Sequence, residues 1–101
     1  ILLGLGDDGH TASLFPGSDA LVEKDRLITA GEGKGHKRIT FTGKLLSAAD
    51  NVVFLISGPA KQTALKRLLD PSESWERTPA KLVAPNSEII VLTDKDAYPS
   101  F

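Results

Sequence analysis

Four runs, at residues 1–5, 38–42, 51–57 and 88–93, concentrate β-branched and aliphatic side chains. Three are continuously apolar at their centres: Ile1-Leu2-Leu3, Val52-Val53-Phe54-Leu55-Ile56 and Ile89-Ile90-Val91-Leu92. Uninterrupted runs of that length suit strands buried on both faces, as in a parallel sheet with helices on either side. The run Arg38-Ile39-Thr40-Phe41-Thr42 alternates instead. One of its faces is therefore polar or less covered, and Arg38 falls with Thr40 and Thr42, away from Ile39 and Phe41. A minor strand is expected at 27–29. Between the runs, residues 59–69 place Ala60, Ala64, Leu65, Leu68 and Leu69 at helical spacing, with Lys61, Gln62, Lys66 and Arg67 around the rest of the wheel. Pro59 suits the first helical position, and Asp70-Pro71 ends the helix. Residues 43–49 predict two helical turns. Residues 78–83 predict one more, with Thr78 as cap and Pro79 at the first position. The polar stretches 31–35 and 71–77, rich in Gly or turn formers, read as loops. Strands alternating with helices predict a layered α/β fold.

Composition narrows the function classes more than it suggests one. A length of 101 residues accommodates one domain. Twelve Lys and Arg against thirteen Asp and Glu, with no basic block, give no electrostatic footprint for nucleic acid or an acidic membrane surface. The absence of cysteine excludes disulfides, zinc ribbons and thiol catalysis within the chain. No apolar stretch approaches the roughly 20 residues of a membrane span. The chain opens at Ile1, already inside an apolar run, and holds no methionine. It is therefore expected to be a piece of a longer protein.

The opening loop carries the candidate chemistry. Gly4-Leu5-Gly6-Asp7-Asp8-Gly9 matches G-x-G-x-x-G after a strand, with Glu23 and Asp25 near the place of a ribose-binding acid. Two objections count against a dinucleotide. Asp7 and Asp8 would repel the pyrophosphate, and Pro16-Gly17 would stop the following helix in under two turns. A purely structural reading has the glycines turn the chain and Asp7 or Asp8 cap a short helix. It does not explain two carboxylates and an imidazole in one tight turn. Asp8-Gly9-His10 puts a carboxylate two residues from an imidazole, where it fixes the tautomer and prepares His10 as a general base. The loop also leaves the carboxyl end of a strand, where open α/β sheets bind ligands. Ser13 sits in the expected helix with no G-x-S-x-G elbow, so it is assigned local hydrogen bonding or packing. Metal binding by Asp7, Asp8 and His10 lacks the usual multi-ligand spacing, His36 being the only other histidine.

A second feature follows the central apolar run. Val52 to Ser57 leads through Gly58-Pro59 into a helix with Lys61 in its first turn, where a cation opposes the helix dipole. An anion at that end reverses the sign, with Lys61 supplying a point charge. A solvated surface lysine is the simpler alternative. If the strands at 1–5 and 51–57 are parallel, His10 and Lys61 emerge at the same sheet edge. Arg38, in the basic cluster Gly35-His36-Lys37-Arg38, either completes an anion clamp or ends a strand in solvent. An anion gripped near a poised imidazole suggests a small phosphorylated substrate.

The segment Gly4-Leu5-Gly6-Asp7-Asp8-Gly9-His10-Thr11-Ala12-Ser13-Leu14-Phe15-Pro16-Gly17 resembles the signature of the 6-phosphogluconolactonases. Later elements keep that family's order: the Arg38-Ile39-Thr40 strand, a short Leu-rich helix, Val53-Phe54-Leu55-Ile56-Ser57-Gly58 with Lys61 shortly after, then Pro79-Ala80 and an apolar strand ending at Asp94 with Ala97. Glucosamine-6-phosphate deaminases are similar more weakly, sharing the Asp-Gly-His turn and the later lysine but not Thr-Ala-Ser-Leu-Phe-Pro. The resemblance implies a Rossmann-like three-layer α/β sandwich with a mostly parallel sheet, of which residues 1–101 form the C-terminal portion. It implies hydrolysis of 6-phospho-D-glucono-1,5-lactone in the cytoplasm, with His10 activating water and Asp8 supporting it. Gly9, Arg38 and Lys61 become substrate-binding positions, the last two for the 6-phosphate. No cofactor, metal, nucleic acid or membrane is implied. The remaining N-terminal portion of the same protein is an expected requirement.

Overall fold

The computed structural model describes residues 1–101. Strand β4 (Val52–Ile56) occupies the middle of a three-stranded parallel sheet, between β1 (Leu2–Leu3) and β5 (Ile89–Thr93). Phe54 lies opposite Leu3 on one side and Val91 on the other. Every second residue of β4 (Val52, Phe54, Ile56) is buried, and these side chains join Leu5, Leu14, Leu46, Ala64, Leu65, Leu68, Ala80, Val83 and Ala97 in one core. Full burial of each large side chain stabilises the fold by about 1.5–3 kcal/mol. The opposite face carries Leu2, Leu55, Ile90 and Leu92, all exposed. The expected burial of these strands on both faces is thus met on one face only, because α1, α2 and the loops that join the core all pack on that same face. β1 is also shorter than the run at 1–5: its pairing ends at Leu3, and Leu5 already turns into the core.

Strands β2 (Ile28–Gly33) and β3 (His36–Phe41) form a separate antiparallel hairpin, in register from Ile28 opposite Phe41 to Gly33 opposite His36. The stretch 31–35, expected as loop, is therefore mostly strand. Its turn is only Lys34 and Gly35, at φ 56° and 77°, the paired positive φ of a tight two-residue hairpin turn. The alternation in β3 holds, with its sides reversed in burial: Thr40 is buried while Ile39 and Phe41 are exposed. Hydrogen bonding explains why the polar side faces inward. The Thr40 hydroxyl accepts the Ser13 N–H at 3.0 Å and donates to the Phe41 carbonyl at 2.9 Å.

Helix α1 (Gly43–Ser47) starts at Thr42, whose hydroxyl accepts the Leu45 N–H. A 3-10 turn (Pro59–Lys61) then leads into α2 (Gln62–Leu69), so Lys61 stands at the cap position of α2 rather than inside its first turn. Ala64, Leu65 and Leu68 are buried as the periodicity predicts, whereas Ala60 and Leu69 are exposed. The Lys81 ammonium donates to the carbonyls of Leu68 and Asp70, satisfying orphan acceptors at the negative end of α2. The segment 78–83 forms a 3-10 turn (Pro79–Leu82), but the Thr78 side chain does not cap it. Its hydroxyl donates to Glu73 instead, at 2.6 Å.

The short helix expected after Gly9 does not form. Residues 11 to 14 make a turn closed by a bridge between Thr11 and Leu14, with Ala12 at φ 51°. Neither Asp7 nor Asp8 caps a helix there, and Ser13 does not sit in one. The reason is competition for hydrogen-bonding groups: the Thr11 hydroxyl donates to the Gly4 carbonyl at 2.7 Å, and the Ser13 N–H goes to Thr40. Without a helix N-terminus behind Gly9, the dinucleotide reading of the glycine pattern loses its anion-binding element. No helix is long and apolar enough to cross a membrane.

Candidate active site

The loop after β1 closes on itself. The Gly6 N–H donates to the His10 carbonyl at 2.8 Å, and the Gly9 N–H donates to the Gly6 carbonyl at 2.9 Å. Gly9 has φ 87° and lies against Thr78, so any Cβ here would be both strained and 2.9 Å from the Thr78 Cγ2. Within this turn Oδ1 of Asp8 accepts the His10 backbone N–H at 3.0 Å and faces His10 Nδ1 at 2.5 Å. A proton on Nδ1 shared with that carboxylate leaves the Nε2 lone pair free to accept one. Burial alone would push the Asp8 carboxyl up. The hydrogen bonds from the His10 ring and backbone, with the charges of His10 and Lys34, outweigh it and hold Asp8 below the usual carboxylate value. Lys34, at the hairpin tip, stands 3.8 Å from the other Asp8 oxygen.

Phe15 stacks on the His10 ring, with centroids 4.2 Å apart and planes 28° apart. The Arg38 guanidinium lies over the same phenyl ring, its Cζ 5.0 Å from the centroid, and Arg38 Nε donates to the Gly33 carbonyl at 2.9 Å.

Beside the dyad is a cavity of about 340 Å³ lined by Gly4, Leu5, Gly6, His10, Thr11, Ala12 and Lys61. The parallel pairing of β1 with β4 brings His10 and Lys61 together at the carboxyl end of the sheet, where α/β folds bind ligands. The Lys61 ammonium is engaged by Asp7 at 2.8 Å, so the dipole penalty of a cation at this helix end is offset within the chain. The Gly58 N–H at that end is taken by the Asp94 carboxylate. Of the five expected site residues, Asp8, His10 and Lys61 come together. Gly9 and Arg38 stand apart from the cavity. Gly9 donates its N–H to Gly6 and accepts from the Ala80 N–H at 2.9 Å, and Arg38 is turned onto Phe15 and Gly33. Sequence reasoning missed Lys34, the Lys61 partner Asp7 and the Phe15 stack. Only Phe15 had a local signal, five positions beyond His10.

The family model described as glucosamine-6-phosphate isomerases/6-phosphogluconolactonase matches residues 1–92. The chain belongs to this family. A relative named 6-phosphogluconolactonase, from Synechocystis sp., is 50% identical over 97 residues, covering 96% of this chain and 40% of that protein. Among solved structures, 6-phosphogluconolactonase from Leishmania guyanensis superposes with a TM-score of 0.82 at 26% identity, over 95% of this chain and 39% of that one. A monomeric glucosamine-6-phosphate deaminase superposes with a TM-score of 0.73 at 26% identity, over 95% and 45%. These likenesses extend the family's mixed α/β fold with a parallel sheet to this chain. The chain spans about 40% of the length of the Synechocystis relative.

Proposed function

We propose that the protein carrying this chain hydrolyses 6-phospho-D-glucono-1,5-lactone to 6-phospho-D-gluconate in the cytoplasm, with residues 1–101 as the C-terminal portion of its α/β domain. The observation that carries the reading is the Asp8–His10 contact at the rim of a cavity that also holds Lys61. His10 Nε2 takes a proton from water as its oxygen attacks the lactone carbonyl carbon. Collapse of the tetrahedral adduct breaks the bond from that carbon to the ring oxygen, which receives the proton back from His10. A lactone is an activated ester, so an oriented water and a poised imidazole suffice without a covalent nucleophile. Asp8 holds the Nδ1 tautomer and stabilises the transient imidazolium. Lys61 meets the 6-phosphate, exchanging the Asp7 carboxylate for a substrate anion. The remaining portion of the protein supplies the other contacts. Lactone hydrolysis by the full-length protein above the spontaneous rate supports the assignment, and a rate equal to the spontaneous one overturns it.

A second reading, a phosphosugar deaminase, is favoured by the superposition on the monomeric deaminase. The same imidazole would then serve ring opening ahead of amine release. Ammonia release from glucosamine 6-phosphate, without lactone hydrolysis, selects it.

A further inference from the structure

Phe15 is buried, and the proposed chemistry makes no use of it. Its ring nevertheless lies flat against the imidazole of His10, and two residues of the hairpin hold it there. Gly33 leaves the room: a Cβ at that position would overlap the phenyl ring. Arg38, anchored through Nε to the Gly33 carbonyl, lays its guanidinium over the same ring. The hairpin thus grips the opening loop through a column of three planar groups: imidazole, phenyl and guanidinium.

We infer that Phe15, held by Arg38 and Gly33, is a positioning residue that fixes the plane of the His10 imidazole; the inference rests on His10 being the base. The hydrogen bond to Asp8 constrains the ring at one atom, Nδ1, and leaves it free to tilt about the line from Cβ to Nδ1 through coupled changes of χ1 and χ2. A flat partner at 4.2 Å removes that freedom, because a tilted imidazole drives an edge into the phenyl face. Two constraints together aim the Nε2 lone pair into the cavity shared with Lys61. Displacing a reacting group by about 1 Å costs on the order of 10²-fold in rate. Arginine suits its place because a planar guanidinium stacks on aromatic rings and still donates from Nε, which a lysine ammonium does not reproduce. Lys34, on the same hairpin, faces the second oxygen of Asp8, so one element steadies both members of the dyad.

The test uses the full-length protein with Phe15→Leu, Phe15→Tyr and Arg38→Gln. Phe15→Leu is expected to lower kcat by roughly 10–100-fold with KM within about twofold, since ground-state binding is untouched. Phe15→Tyr, which keeps the ring, restores most of the rate. Arg38→Gln lowers kcat in the same direction and leaves calorimetric binding of 6-phosphogluconate unchanged. An Arg38→Gln variant that binds 6-phosphogluconate about tenfold more weakly at unchanged kcat assigns Arg38 to the anion and overturns the inference. Nitrogen-15 NMR of the His10 ring supplies a readout independent of turnover, with His36 as internal control. The parent is expected to show the Nδ1–H tautomer, and Phe15→Leu a shift toward a tautomer average. An unmoved His10 signature in a folded Phe15→Leu variant overturns the inference, even in a protein that hydrolyses no lactone, where the proposed function alone fails. If Phe15→Leu does not fold, Arg38→Gln, at a partly exposed residue, carries the same two readouts.

Discussion

A side chain on Gly6 would overlap the imidazole of His10, while the Gly6 N–H donates to the His10 carbonyl at 2.8 Å. Gly6 and His10 are thus locked together at the backbone and nested at the side chain. The second glycine of the opening pattern makes room for an imidazole, where a dinucleotide motif would use it to admit a pyrophosphate.

Gly6→Ala is accordingly expected to expel the His10 ring from its seat on Asp8. Hydrolysis should fall as far as in a His10 deletion of function, while far-ultraviolet circular dichroism stays that of the parent. A Gly6→Ala protein with parental kcat would show that the imidazole tolerates displacement.

Lys61 and Asp7 should act in opposite directions on anion binding. Lys61→Met is expected to weaken 6-phosphogluconate by about 1.5–3 kcal/mol, the range for a charged hydrogen bond. Asp7→Asn frees the ammonium from a partly exposed pair worth about 0.2–1 kcal/mol, so affinity should rise up to roughly fivefold. Isothermal calorimetry on the full-length protein reads both. Weaker binding in Asp7→Asn would place Asp7 on the ligand instead of on Lys61.

Thr78 is fully buried, packs under Gly9, and donates its hydroxyl to a largely buried Glu73 carboxylate that also has Arg77 Nε at 3.5 Å. Thr78→Val keeps the shape and removes the donor. The variant should lose about 1–3 kcal/mol in urea unfolding, the cost of leaving a buried acceptor short of its partner. Unchanged stability would mean that water replaces the hydroxyl.

The lowered Asp8 pKa sets a pH dependence with a definite sign. Between its native value and the unfolded value near 3.8, the unfolded chain binds more protons, so stability rises with pH across that window. The Asp8 contribution is complete above about pH 5 and is lost as pH falls through the native value. Asp8→Asn should therefore be less stable than the parent at neutral pH, with the gap closing as pH falls from about 5 to below the native Asp8 value. A gap that persists there would trace the loss to shape rather than charge. Glu23 and Asp70 are lowered by hydrogen bonds from neighbouring backbone N–H groups, joined at Asp70 by the Ser72 hydroxyl, and the parent and Asp8→Asn share them.

The legible parts of the molecule are those whose cause lies close in sequence. Continuous apolar character located β4 and β5, periodicity located α2, and the Asp8-Gly9-His10 spacing located the dyad. The hairpin is legible only in part: strands are expected at 27–29 and 38–42, but β2 continues through Ala30-Gly31-Glu32-Gly33, which reads as loop because Gly33 is present for the sake of Phe15, a contact 18 positions away. The helix after Gly9 was expected and is absent because the Ser13 N–H finds its partner on Thr40, 27 residues on. Arg38 is expected in an anion clamp or at a solvated strand end, and its contacts are not legible for the same reason: its acceptor Gly33 and its aromatic partner Phe15 both lie on other elements.

The central claim is that His10 is the base. Its most direct test is kcat/KM for 6-phosphogluconolactone hydrolysis by the full-length protein and its His10→Ala variant, each corrected for spontaneous hydrolysis. A loss of about 10²–10⁴-fold is predicted, the range for removing a positioned general base. Equal rates in the two proteins would contradict it.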